Sequence, residues 1–147
     1  MPLIEVDLLL AYLVKEDKHH RVASTYFSKV TSGSLPRPVL SGFALQELEL
    51  GVRTGRVLPW GRHLKTEGEV AQFIKRVCEA LEVHGLRVHP FTCATLHKAA
   101  EFRESYGLSY FDSLHAASAF FHDKGIVSTD GDYDRVKELR RVDPYRL

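Results

Sequence analysis

Apolar positions along this chain keep two different rhythms. Short apolar runs alternate with longer stretches in which apolar residues return every three or four positions. The runs predict strands at Leu3–Asp7, Val39–Leu40, Leu86–Val88, Ile126–Ser128 and Arg141–Asp143. The longer stretches predict helices over Leu8–Lys15, Lys18–Val30, Ser41–Thr54, Glu69–Val83, Thr92–Ser105, Ser109–His122 and Tyr133–Leu139. Ser41 and Thr92 stand where N-caps belong, and Gly125 where a helix C-terminal glycine belongs. There is no internal repeat, low-complexity tract or long linker. Short strands alternating with helices predict one α/β domain, with a mostly parallel sheet covered by helices on both faces.

The segment YFDSLHAASAFF, Tyr110 to Phe121, breaks the pattern. It is apolar or small on nearly every side, as a helix buried between other elements is. Yet Asp112 sits near its start, and an unpaired buried carboxylate is costly. Three other segments each offer an acid. Asp7 closes the first predicted strand and Asp130 the fourth. Glu47 falls between Phe43 and Gly51 on a helical wheel, on the apolar side of its helix, with Glu49 on the polar side. Sites in open parallel sheets lie beyond the carboxyl ends of the strands, where three of these acids fall. Converging carboxylates repel one another unless some are protonated or a cation joins them. All-oxygen donors favour Mg²⁺ or Mn²⁺, and no His/Cys spacing suits zinc. Such a site serves phosphoryl chemistry.

Each acid also has a purely structural role open to it. Ser109 and Asp112 form an S-x-x-D capping pattern. Asp7 suits a helix cap, and Asp130, Asp132 and Asp134 suit a turn. Glu47 needs a partner such as an arginine. The D-x-D run is not a calcium loop, since Arg135 and Arg141 stand where glycine and glutamate are required.

Bulk properties narrow the field only a little. The chain has 147 residues, 44% hydrophobic and 27% charged, with a net charge of +1. That suits one soluble domain with a core of its own, and gives no global basic field for nucleic acid. Cys78 and Cys93 are too few for a disulfide framework, and Cys78 reads as core. No run is long enough to span a membrane. The first residues lack a basic leader and a cleavage site, so a reducing cytoplasm is the expected compartment.

Taken in order, IEVDLLLAYL, LSGFALQELELG, GLSYFDSLHAASA and IVSTDGDYD resemble the successive acidic motifs of the PIN domain family, in particular its VapC-type toxin ribonucleases. The resemblance runs from Ile4 to about Val142. It implies a three-layer α/β/α fold and a Mg²⁺- or Mn²⁺-dependent endoribonuclease paired with a small antitoxin and forming a homodimer. By position it makes Glu47, Asp112 and Asp130 metal-site acids and Asp132 a possible additional one. Ser128 matches a hydroxyl residue that orients a carboxylate or water. The first motif departs from the family's Asp-Thr-Asn. A gapless match puts Glu5 at that Asp, but Asp7, nearer the strand's carboxyl end, is the preferred first ligand, with Glu5 as second choice.

Substrate contacts must then come from local cations. Arg53, Arg56, Arg62, His63 and Lys65 surround Trp60, a combination that suits single-stranded RNA by phosphate pairing and base stacking. The same stretch also reads as a solvated loop with an anchored Trp60. His115, three residues beyond Asp112, reads as a structural histidine or as a neighbour of that acid. The rival to the nuclease is a PIN-like module that binds RNA or protein without catalysis. A phosphatase on a similar sheet lacks the nucleophile pattern it would need.

Overall fold

The computed structural model describes residues 1–147. Its sheet holds β1 (Leu3–Ile4), β2 (Val39–Ser41), β3 (Arg87–His89), β4 (Gly125–Val127) and β5 (Arg140–Val142) in the order β3-β2-β1-β4-β5. Every neighbouring pair is parallel. Six helices connect and cover the strands: α1 (Val6–Leu13), α2 (His20–Thr31), α3 (Gly42–Arg53), α4 (Glu67–Val83), α5 (Cys93–Tyr106) and α6 (Tyr110–His122). Residues 131–135 and 144–146 form short 3-10 turns.

Side-chain alternation along the strands sorts the core into two halves. Ile4, Leu40 and Val127 face the helices α1 to α4, where Leu9, Phe27, Leu48 and Phe73 are fully buried. Leu3 and Ile126 point the other way, onto Phe102, Leu114, Ala117 and Tyr133. The result is a three-layer α/β/α sandwich. Helix starts follow the sequence closely. Ser41, Thr66, Thr92 and Ser109 each accept a hydrogen bond from a backbone N–H of the first turn, and Thr66 with Glu69 makes a complete capping box.

Four readings are corrected. The first strand ends at Ile4 and α1 begins at Val6, so Asp7 lies in the first helical turn instead of on the strand. A continuous apolar run does not distinguish a buried strand from a buried helix. The helix expected over Tyr133–Leu139 is the 3-10 turn of Gly131–Arg135. Gly125 opens β4, and the left-handed residue after α6 is Lys124, at φ 61°. Cys78 is exposed, because α4 buries the stripe of Val70, Phe73, Val77 and Ala80 and Cys78 lies about 100° round from Val77.

The chain order places the site. From β1 the sheet grows through β2 to β3 on one side and through β4 to β5 on the other. A ligand crevice forms beyond the carboxyl ends where the order reverses. There the backbone N–H of Glu5, the first residue after β1, bonds to the carbonyl of Val127, the last residue of β4, at 3.1 Å.

Candidate metal centre

Glu5 follows β1 directly, and Ser128 follows β4. The Ile4–Val127 register sets the two side by side. Both are buried, Glu5 at 3% exposure. The Ser128 hydroxyl donates to Glu5 Oε2 and accepts the backbone N–H of Asp130 at 2.9 Å. Asp130 N-caps the following 3-10 turn, its Oδ1 accepting from Asp132 N at 2.8 Å. Asp112 enters from α6. Its backbone N–H bonds to Ser109 Oγ at 3.3 Å, and Ser109 Oγ in turn donates to Asp112 Oδ2 at 2.5 Å. The Ser109–Asp112 cap expected from the sequence is thus present, and Asp112 still turns its other oxygen inward.

One carboxylate oxygen from each of Glu5, Asp112 and Asp130 lies within 4.8 Å of the other two. None of the three has an ion-pair partner among the salt bridges of the fold. Burial, and the neighbouring charge of Asp7, push the Glu5 carboxyl up to about 8, against the opposing hydrogen bond from Ser128. A set of hard oxygen donors with no counter-charge fits a small divalent cation.

Tyr133 completes the enclosure. Fully buried, its phenol donates to Glu5 Oε1 at 3.1 Å and reaches Asp112 Oδ1 at 3.5 Å. Burial and these acids hold the phenol well above its ordinary range, so it remains a donor. Sequence reading missed this residue. Its only signal was a large aromatic in the acidic turn of TDGDYD.

Asp7 and Glu47 lie outside that 4.8 Å group and line one cleft with Leu10, Arg56 and Val57. Asp7 is open to solvent at this cleft. Partial desolvation by the cleft and the charge of Glu47 raise its carboxyl, while His115 opposes the rise. Glu47 points inward, as its place on the wheel predicted, but its partner is a histidine. Its Oε2 lies 2.6 Å from Nε2 of the fully buried His115. His115 Nε2 donates to this carboxylate oxygen, and His115 Nδ1 has no hydrogen-bond partner. Of the two candidates for the first acid, Glu5 is the one that meets Asp112 and Asp130. Asp132 is exposed and pairs with Arg135 at 3.1 Å.

The basic loop divides in two. Arg53 is bound to Glu49 and Glu67, Arg62 to Glu69, and His63 Nε2 to the Arg53 carbonyl. Arg56 makes no ion pair and lines the cleft of Asp7 and Glu47. Lys65 is exposed, and Trp60 is 39% exposed.

The PIN domain family model matches residues 7–139. Two solved structures share the fold. A "Toxin-antitoxin complex from Klebsiella pneumoniae" aligns with a TM-score of 0.65 at 15% identity, covering 99% of this chain and 98% of that one. FitAcB from Neisseria gonorrhoeae aligns with a TM-score of 0.66 at 17% identity, covering 100% of both chains. No curated protein matches the sequence.

Proposed function

This chain belongs to the PIN domain family, and on that premise we propose that it is a Mg²⁺- or Mn²⁺-dependent endoribonuclease, the toxin of a toxin–antitoxin pair. The observation that carries the reading is the meeting of Glu5, Asp112 and Asp130 at the carboxyl end of the sheet with no cation to offset their charge. These three residues would hold the ion. When bound, the ion supplies an acidified water and positive charge for the departing oxygen of a phosphodiester. Ser128, Ser109 and Tyr133 hold the three acids in place. Asp7 and Glu47 serve the same reaction from the cleft. His115 occupies Glu47 Oε2, and we assign Oε1 as the acceptor for the proton of the attacking water.

We assign Arg56, which lines the cleft of Asp7 and Glu47 without an ion-pair partner, to an RNA phosphate beside these acids. Trp60 and Lys65 extend that reading along the loop, whereas Arg53 and Arg62 are already neutralised. An antitoxin partner is supported by the fold shared with the Klebsiella toxin–antitoxin complex. A homodimer and a cytoplasmic location complete the proposal, and no helix is long and apolar enough to cross a membrane. One observation favours the rival, a PIN-like binding module. A Glu5 carboxyl raised to about 8 resists the charge a metal requires.

Calorimetric Mn²⁺ titration of the wild type and Asp112→Asn, followed by an RNA cleavage assay on the same samples, separates the two. Binding and cleavage in the wild type, both lost in the variant, support the nuclease. A wild type that binds no Mn²⁺ and leaves RNA intact supports the binding module.

A further inference from the structure

A metal site made of carboxylates alone has a structural problem before the ion arrives. Its ligands repel one another, and each tends to turn toward water or a cation. Here no lysine, arginine or histidine pairs with Glu5, Asp112 or Asp130. Neutral hydroxyls take that part. Ser109 holds one oxygen of Asp112, and Ser128 holds one oxygen of Glu5. Both act on a single carboxylate. Tyr133 differs: its phenol lies within reach of two, Glu5 Oε1 at 3.1 Å and Asp112 Oδ1 at 3.5 Å. These acids come from distant parts of the sequence, the end of β1 and the first turn of α6.

We propose that Tyr133 is a positioning residue that ties Glu5 to Asp112 and so sets the spacing of the metal-binding carboxylates. The inference rests on the metal-site reading given above. Its physical basis is the neutrality of the tether. A lysine or arginine at this point would hold the acids equally well but would compete with the ion for their charge. A phenol donates one hydrogen, adds no positive charge, and can yield that hydrogen bond when a cation enters. The anchoring is rigid as well, because the ring is fully buried beside Leu3, Leu114 and Ile126. Outer hydroxyl and carbonyl partners of this kind commonly govern metal affinity by about 10- to 100-fold.

The test is Tyr133→Phe in the full chain, which keeps the ring and its packing and removes only the oxygen. Mn²⁺ affinity by calorimetry and the thermal midpoint of the metal-free protein are measured on wild type, Tyr133→Phe and Asp112→Asn together. The expected result is at least about a tenfold loss of Mn²⁺ affinity in Tyr133→Phe with little change in the metal-free midpoint. A residue that merely packs the core would leave both the midpoint and the affinity unchanged in this variant, because the ring is retained. Wild-type Mn²⁺ affinity in Tyr133→Phe, with Asp112→Asn binding none, overturns the tether and leaves the metal site standing. Failure of the wild type to bind Mn²⁺ overturns both.

Discussion

Nε2 of His115 lies 2.6 Å from Oε2 of Glu47, a contact between α6 and α3 that spans 68 residues of sequence. It gives the inward-facing acid of α3 a fixed partner beside the candidate metal centre. Removing the imidazole leaves a cavity and a half-buried carboxylate with no donor. The expected cost of His115→Ala is about 2–4 kcal/mol, read as a lowered urea midpoint. Glu47→Gln keeps an acceptor for Nε2–H and is expected to lose far less stability. Equal losses in the two variants would remove the pair from this account.

Glu5 makes the protein respond to pH in a direction unusual for an acid. Its carboxyl rises from 4.5 in the open chain to about 8 in the fold. Between those values the folded state binds the extra proton. Metal-free stability is therefore greatest below pH 4.5 on account of this group and falls as pH rises toward 8, by a few kcal/mol at most. Glu5→Gln, neutral at every pH, is expected to flatten that slope in denaturation curves taken across the window.

The same shift couples the proton to the ion. Binding a cation requires Glu5 charged, so Mn²⁺ affinity is expected to climb between pH 6 and about 8, with roughly one proton released per ion. Calorimetry in buffers of different ionisation enthalpy counts that proton. No release at pH 6 would mean that Glu5 is not a ligand.

Asp112→Asn is expected to fold, since the helix keeps its Ser109 cap through the backbone N–H of residue 112. Its Mn²⁺ affinity is expected to drop at least about 100-fold, and RNA cleavage with it. Circular dichroism checks the fold. Cleavage at the wild-type rate would place the chemistry elsewhere.

Arg56 and Arg53 stand three residues apart but are expected to behave differently. Arg53 is held by Glu49 and Glu67, whereas Arg56 has no ion pair and borders the acid cleft. Arg56→Ala is expected to weaken single-stranded RNA binding and lower the salt slope by about 0.7. Arg53→Ala is expected to leave that slope unchanged. Fluorescence anisotropy over a salt series distinguishes them.

The α/β layering was legible in the chain because it depends on local pattern. Alternating runs, helical spacing and the caps at Ser41, Thr92 and Ser109 reflect short-range sterics and hydrogen bonding, and each can be read within a few residues. The acids Asp112 and Asp130 were legible for a related reason, since they stand near element ends beyond the sheet. Glu47 was legible because an acid on the apolar side of a helix requires a partner. The identity of that partner was not, because His115 meets it across 68 residues. The choice between Glu5 and Asp7 turned on where β1 ends, and an apolar run does not mark that point. Only the parallel register of β1 with β4 sets Glu5 beside Ser128, and only the packing of the 3-10 turn Gly131–Arg135 brings Tyr133 onto Glu5 and Asp112. Local pattern places each side chain on its element. Which side chains meet depends on how distant elements pack, and that is a property of the whole fold.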